Sequence, residues 1–302
     1  MKKDLLSVYD LDREDMRIIF EHAVKLKKFH KEGTPYTPLK GKTLGMIFDK
    51  ASTRTRISFE VGMFQLGGSA LFLSNRDTQM GRGESISDMA RIMSRYVDGI
   101  MIRTYSQELV EEFARYASIP VINGLTDREH PCQILCDLFT IMEKKGRYED
   151  FKIAYIGDGN NVANSWLDAA ARLSFHLSVA CPERYEPDQQ ILERAKRDTE
   201  GKIAVYRDPV DAVRNADVVY TDVWISMGQE EEQEMRKDIF RSYQINEALL
   251  SHAAKDVVVM HCLPAHRGEE ITAEVMDGPK SVVFDQAENR LHVQKAIMEI
   301  IL

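Results

Sequence analysis

Short apolar runs with β character alternate with amphipathic stretches of helical length along nearly the whole chain. Strands are predicted at 42–48, 70–74, 99–103 and 120–123, then at 152–157, 177–180, 202–206, 217–221, 257–261 and 282–284. Helical stretches such as 53–66, 85–96, 131–145 and 161–173 separate most of them. A strand, a helix and a further strand close as a right-handed crossover. The alternation therefore predicts an α/β fold of parallel sheets flanked by helices. Nine or ten strands exceed one usual sheet, and 302 residues at roughly 150 per domain also point to two domains. The polar run KKGRYED at 144–150 is the best boundary. It separates 1–147 from 148–287, with a last helix at 288–302 that packs back on the first domain. In such sheets ligands bind beyond the carboxyl ends of the strands, so strand-end residues carry the functional information.

Composition narrows the class. A hydrophobic fraction of 44% and a charged fraction of 29% are those of an ordinary globular protein and exclude extensive disorder. A net charge of −8 argues against general affinity for nucleic acid, which needs excess Lys and Arg. The four cysteines, Cys132, Cys136, Cys181 and Cys262, include no C-x-x-C pair, which speaks against a structural zinc site. Asp4, Asp10 and Asp12 interrupt any signal-peptide core behind Lys2 and Lys3. No uncharged apolar run reaches the 18 residues or so that a membrane span requires. These bounds predict a soluble cytoplasmic protein of a reducing compartment.

Five strand-end motifs carry chemistry. Ser52-Thr53-Arg54-Thr55-Arg56 follows the first strand and opens a helix. Hydroxyls, guanidinium groups and free backbone N–H groups converge there at the positive end of the helix dipole, which suits a phosphate better than a plain N-cap. Gly157-Asp158-Gly159-Asn160-Asn161-Val162 half matches a dinucleotide fingerprint, but Val162 replaces the third glycine. A tight turn that presents Asn161 to a polar ligand is the better reading, and a nicotinamide dehydrogenase the weaker one. Glu129-His130-Pro131-Cys132-Gln133 sets a His and a Gln at a helix start, where both can donate to a polarised carbonyl oxygen. His130, Cys132 and Cys136 as metal ligands are the lesser alternative. Asp222-Val223-Trp224-Ile225-Ser226-Met227-Gly228 places an apolar cluster beside polar residues, which suggests a mobile lid over a ligand rather than a bare loop. His261-Cys262-Leu263-Pro264 ends another strand. Neighbouring side chains on a strand face opposite ways, so His261 is poorly placed as a base for Cys262. A cysteine that orients a substrate amine fits better than a nucleophile.

Taken together, STRTR, HPCQ, DVWISMG and HCLPAHRGEE, in this order and at these separations, resemble the aspartate/ornithine carbamoyltransferase family along essentially the whole chain. The first two motifs resemble its shared carbamoyl-phosphate half, and the last two its ornithine branch. The resemblance implies a carbamoyl-phosphate-binding domain over 1–147 with 288–302, and an ornithine-binding domain over 148–287. It places Ser52, Thr53, Arg54, Thr55, Gln79 and Arg103 on the phosphate, with Arg103, His130, Gln133 and Arg290 at the carbamoyl group. Asn161, Asp222, Ser226 and Met227 would bind ornithine, with Cys262 and Leu263 at the reacting centre. Arg103, His130, Asp222 and Cys262 are the implied catalytic residues. The implied reaction makes citrulline and phosphate, with no metal and no cofactor, in a homotrimer whose Gln79 reaches a neighbour's site. The alternative within the family is a related amine, such as putrescine or N-acetylornithine, as acceptor. No nucleic-acid or membrane partner is implied.

Overall fold

The computed structural model of the chain describes residues 3–74, 83–225 and 233–302. Contacts divide it into two compact units, Met1–Cys136 with Asn289–Leu302, and Asp137–Glu288.

The first unit contains α1 (Arg13–Glu32), β1 (Thr43–Phe48), α2 (Thr53–Gln65), β2 (Ser69–Ser74), α3 (Ile86–Met93), β3 (Gly99–Arg103), α4 (Gln107–Tyr116) and β4 (Val121–Leu125), and enters α5 (Pro131–Lys145). Its four strands pair in the order β2-β1-β3-β4, all parallel. Every residue of β3 and all but the first of β1 are buried, as expected where a parallel sheet is covered on both faces. Beneath α3 and α4, Ile47, Ile100, Ile102, Val110, Phe113 and Val121 form one cluster.

The second unit adds β5 (Lys152–Ile156), α6 (Asn161–Arg172), β6 (His176–Ala180), α7 (Gln189–Asp198), β7 (Ile203–Tyr206), α8 (Pro209–Val213), β8 (Val218–Thr221), α9 (Gln233–Phe240), α10 (Glu247–Leu250), β9 (Val258–His261), α11 (Ala273–Met276) and the start of α12 (Val283–Ile301). Its five strands run parallel in the order β7-β6-β5-β8-β9. Two parallel sheets flanked by helices are the architecture that the alternation predicts. Among the described residues, no helix is long and apolar enough to cross a membrane.

One predicted strand is corrected. Residues 282–284 do not form a strand, because α12 begins at Val283, ahead of the helix start expected at 288. Val282 N donates to Val259 O at 3.0 Å and Val259 N to Lys280 O at 2.9 Å, so a single bridge flanks β9 before the helix takes over. Three apolar residues are too few for their periodicity to separate strand from helix.

In each sheet the strand order reverses once, between β1 and β3 and between β5 and β8. Ligands of open parallel sheets bind at such switch points, beyond the carboxyl ends of the strands. STRTR and Arg103 stand at the first reversal, and the Gly157–Asn161 turn and Asp222 at the second.

Candidate active site

In the first unit, Ser52 is the N-cap of α2. Its Oγ accepts from Thr55 N at 3.2 Å and donates to Thr55 Oγ1 at 3.1 Å. Thr55 is fully buried and anchors two guanidinium groups. Arg290 Nη2 donates to its Oγ1 at 2.9 Å, and Arg103 Nη1 reaches the same atom at 3.5 Å. Arg103 closes β3 and Arg290 lies on α12. His130 immediately precedes Pro131, the first residue of α5, and its carbonyl accepts from Gln133 N at 3.1 Å. Burial first, then the charges of Arg290, Arg103 and Arg54, push its imidazole well below the ordinary value of 6.5. The ring is thus neutral at physiological pH and faces a field of three cations. The arrangement favours an anion and can donate to a polarised oxygen.

The turn that carries His130 is built by Thr126. Its Oγ1 donates to Gln107 Oε1 at 2.8 Å and accepts from Glu129 N at 3.0 Å, while Thr126 N donates to Glu129 O at 2.8 Å. Cys132 directs its thiol to Asn123 O at 3.5 Å, and burial pushes that thiol up to about 12. A thiol held this way is a packing residue, which argues against its role as a metal ligand.

In the second unit, a network centres on Asp222, just past β8. Cys262 Sγ donates to Asp222 Oδ1 at 2.8 Å, and Val223 N donates to the same oxygen at 2.8 Å. Asn160 Nδ2 donates to Asp222 Oδ2 at 2.8 Å. Asn160 is itself fixed: it caps α6 by accepting from Val162 N and Ala163 N, and Tyr155 OH donates to its Oδ1 at 3.0 Å. Burial, followed by the nearby Asp222 carboxylate, pushes the Tyr155 phenol well above 10, so it stays a donor. A carboxylate offers about four acceptor sites. Three are filled here by described residues, leaving one on Oδ2.

His261 lies close to this network but makes its hydrogen bonds elsewhere. Its Nδ1 accepts from Leu263 N at 2.8 Å, which leaves the ring proton on Nε2 for Glu270 Oε1 at 2.9 Å. Its backbone N–H donates to Gln286 Oε1 at 3.0 Å. His261 is therefore not the base of Cys262, in keeping with its place on a strand. Leu263 adopts a φ of 61° and precedes a cis peptide bond to Pro264. Ligating atoms of Asp222, His261 and Cys262 lie within 4.8 Å of one another. Each is already hydrogen-bonded within the protein, so the set is organised as a donor–acceptor network. A second set, the exposed His266, the half-buried Glu269 and the buried Glu270, is equally close.

Asn161 opens α6, and its neighbour Asn160 holds Asp222. One expectation changes. Trp224 is not part of an exposed apolar cluster: it is 4% exposed and stacks on Phe240 at a centroid distance of 5.9 Å. Gly159 answers to the protein and not to a pyrophosphate, since a Cβ there would lie 2.2 Å from Pro187 N. Gln79, Ser226 and Met227 lie outside the described residues. The other predicted site residues are divided between the units. Ser52, Thr53, Arg54, Thr55, Arg103, His130, Gln133 and Arg290 belong to the first, and Asn161, Asp222, Cys262 and Leu263 to the second.

A cationic cluster in one α/β unit and a carboxylate-centred network in the other are the features of a two-domain α/β enzyme. Residues 3–143 match the carbamoyl-P binding domain of aspartate/ornithine carbamoyltransferase, and residues 149–301 match its Asp/Orn binding domain. The chain belongs to the aspartate/ornithine carbamoyltransferase family. It is 71% identical over 302 residues to the ornithine carbamoyltransferase of Syntrophus aciditrophicus, with all of both chains covered. The solved ornithine carbamoyltransferase of Pyrococcus furiosus is 54% identical, with a TM-score of 0.94 over 98% of this chain and 95% of that one. The anabolic ornithine carbamoyltransferase of Campylobacter jejuni is 43% identical, with a TM-score of 0.93 over 100% of this chain and 99% of its own.

Proposed function

We propose that this chain transfers the carbamoyl group of carbamoyl phosphate to the δ-amine of L-ornithine, giving L-citrulline and phosphate. The observation that carries the ornithine reading is Asp222. Its carboxylate, held by Cys262, Asn160 and Val223 with an acceptor site open on Oδ2, suits an amine and repels a dicarboxylate such as aspartate. Ornithine carbamoyltransferases that match over the full chain support the same acceptor.

Residues 1–147 with 288–302 form the carbamoyl-phosphate-binding domain in this reading, and 148–287 the ornithine-binding domain. Ser52, Thr53, Arg54, Thr55 and Arg103 hold the phosphate, joined by Gln79. Arg103, His130, Gln133 and Arg290 address the carbamoyl oxygen, with Cys262 and Leu263 at the reacting carbon. Asn161, Asp222, Ser226 and Met227 bind ornithine. The neutral δ-amine attacks the carbonyl carbon, and charge collects on the carbonyl oxygen. The C–O bond to phosphate then breaks, its electron pair leaves with the phosphate, and the amine's surplus proton passes to that departing phosphate. Arg103 and a neutral, donating His130 stabilise the oxygen, and Arg54 the departing phosphate. Asp222 accepts a hydrogen bond from the amine and aims its lone pair, with Cys262 fixing the carboxylate. Carbamoyl phosphate is already activated, so the step needs no nucleotide, and much of the acceleration comes from holding two substrates in register.

The reading also includes a cytoplasmic homotrimer acting in arginine biosynthesis, a state its family resemblance supports. Its test is an acceptor panel. Purified enzyme with carbamoyl phosphate should turn over ornithine and be nearly inert towards aspartate, putrescine and N-acetylornithine. Comparable kcat/KM on any of these three overturns the ornithine assignment.

A further inference from the structure

A buried charge pair stands beside the Asp222 network, and none of the roles above uses it. Arg236 on α9 is 3% exposed. Its Nη2 pairs with Asp158 Oδ2 in the turn after β5, and its Nε donates at 2.7 Å to the carbonyl oxygen of Trp224, in the turn after β8. The guanidinium plane is fixed by two rings, Tyr185 at 4.8 Å and Phe240 at 5.4 Å. Asp158 comes two residues before Asn160, and Trp224 two residues after Asp222. One side chain thus ties the turn that supplies the amide to the turn that supplies the carboxylate.

The chemistry of the pair points to alignment rather than to stability. Burial pushes Asp158 up to about 6 although Arg236 pulls the other way, and the nearby Asp222 carboxylate adds to the rise. Two carboxylates in a buried region repel each other, and Arg236 supplies the charge that lets both turns stay close. A buried ion pair is a weak stabiliser, because well-packed apolar side chains of similar volume often serve as well. Apolar side chains could not, however, hold a carboxylate and a backbone carbonyl in one fixed fork.

We propose that Arg236 is a positioning residue for the transfer: through Asp158 and the Trp224 carbonyl it sets the geometry of Asn160, Asp222 and Cys262 around the amine. The proposal rests on the function argued above. It predicts that loss of Arg236 harms the ornithine half alone, because its contacts to Asp158, Trp224, Tyr185 and Phe240 lie within the second unit.

The test compares the parent with Arg236→Gln, Arg236→Lys and Asp158→Asn. Two quantities are read: kcat/KM for ornithine, and the Kd of carbamoyl phosphate measured calorimetrically without ornithine. Misplacement by about 1 Å can cost on the order of a hundredfold, so Arg236→Gln should lower kcat/KM between about tenfold and a hundredfold. The carbamoyl phosphate Kd should stay within about twofold, since no contact to that ligand changes. Arg236→Lys should recover part of the loss, because an ammonium reaches Asp158 but cannot make the fork. Parent-like kcat/KM in Arg236→Gln overturns the proposal, and so does an equal weakening of carbamoyl phosphate binding. If Arg236→Gln does not fold, Asp158→Asn decides: lowered kcat/KM supports the proposal and parent-like kinetics defeat it. A parent that makes no citrulline defeats the function reading itself, whatever the variants do.

Discussion

The Cys262 thiol donates its hydrogen to Asp222 Oδ1 across 2.8 Å, while the imidazole of its sequence neighbour His261 is engaged with Glu270 and Leu263. A thiol giving its hydrogen to a carboxylate is not a thiolate, and the thiolate is the attacking species. This contact supports the proposed role of Cys262, which is to fix a carboxylate and not to form a bond to substrate.

Cys262→Ser should keep measurable turnover, because a hydroxyl can donate to the same oxygen. Cys262→Ala loses a hydrogen bond to a charged acceptor, about 1.5–3 kcal/mol, which is on the order of tenfold to a hundredfold in kcat/KM for ornithine. Mass spectrometry of enzyme quenched during turnover should find Cys262 unmodified. A carbamoylated Cys262 would contradict the assignment.

Asn160 separates helix capping from carboxylate support. Asn160→Asp keeps an oxygen for Val162 N and Ala163 N, but sets a second carboxylate where Asn160 Nδ2 now donates to Asp222. The facing carboxylates should lower thermal stability even though the cap is kept, and kcat/KM for ornithine should fall by more than about tenfold. Asn160→Ala loses both contacts, and its missing cap should cost about 1 kcal/mol of stability. Parent-like ornithine kinetics in Asn160→Asp would remove this residue from the site.

These two residues also show how far the sequence could be read. Runs such as KIAYI and GIMIR carry a mostly apolar stretch with a charged residue only at one end, so β5 and β3 are legible in the sequence. The triplet Val282-Val283-Phe284 carries the same residue types but too few of them, and α12 claims it. Asp222 is legible as a carboxylate at a strand end. Its donors are not, because whether Asn160 or Asn161 caps α6 depends on one residue of helix start. Arg236 sits within QEEEQEMRKD, which reads as a solvated charged face. Packing against Tyr185 and contacts to Asp158 and the Trp224 carbonyl, all from other elements, bury it together with Phe240 one turn along its own helix. Trp224 misleads for the same reason: the ring that covers it, Phe240, lies on another element.

His130 gives a stability signature. Burial, ahead of Arg290, Arg103 and Arg54, holds it well below 6.5 in the folded chain, so the unfolded chain binds its proton first. Stability should then rise with pH through this window and be lost as pH falls below the unfolded value, by up to about 1.4 kcal/mol per pH unit. The urea midpoint should drop between about pH 7 and pH 5.5, and His130→Asn should flatten that part of the curve. An equal slope in both proteins would place the effect elsewhere.

The proposed trimer, with its proposed shared site, is testable by mixing subunits. Gln79→Ala and Arg54→Ala should each give a nearly inactive homotrimer. If Gln79 acts on a neighbour's site, dissociating and reassembling the two variants together should regenerate sites that have both residues intact. Verified mixed trimers with no recovered activity would defeat the shared site.

Carbamoyl transfer itself is tested most directly by following the carbon. Carbamoyl phosphate labelled with carbon-13, ornithine and purified enzyme should give one ureido carbon signal of citrulline for each phosphate released, as read by NMR and a phosphate assay on the same sample. Phosphate release without a labelled ureido carbon, or label on any atom other than the δ-nitrogen's carbamoyl group, would contradict the account.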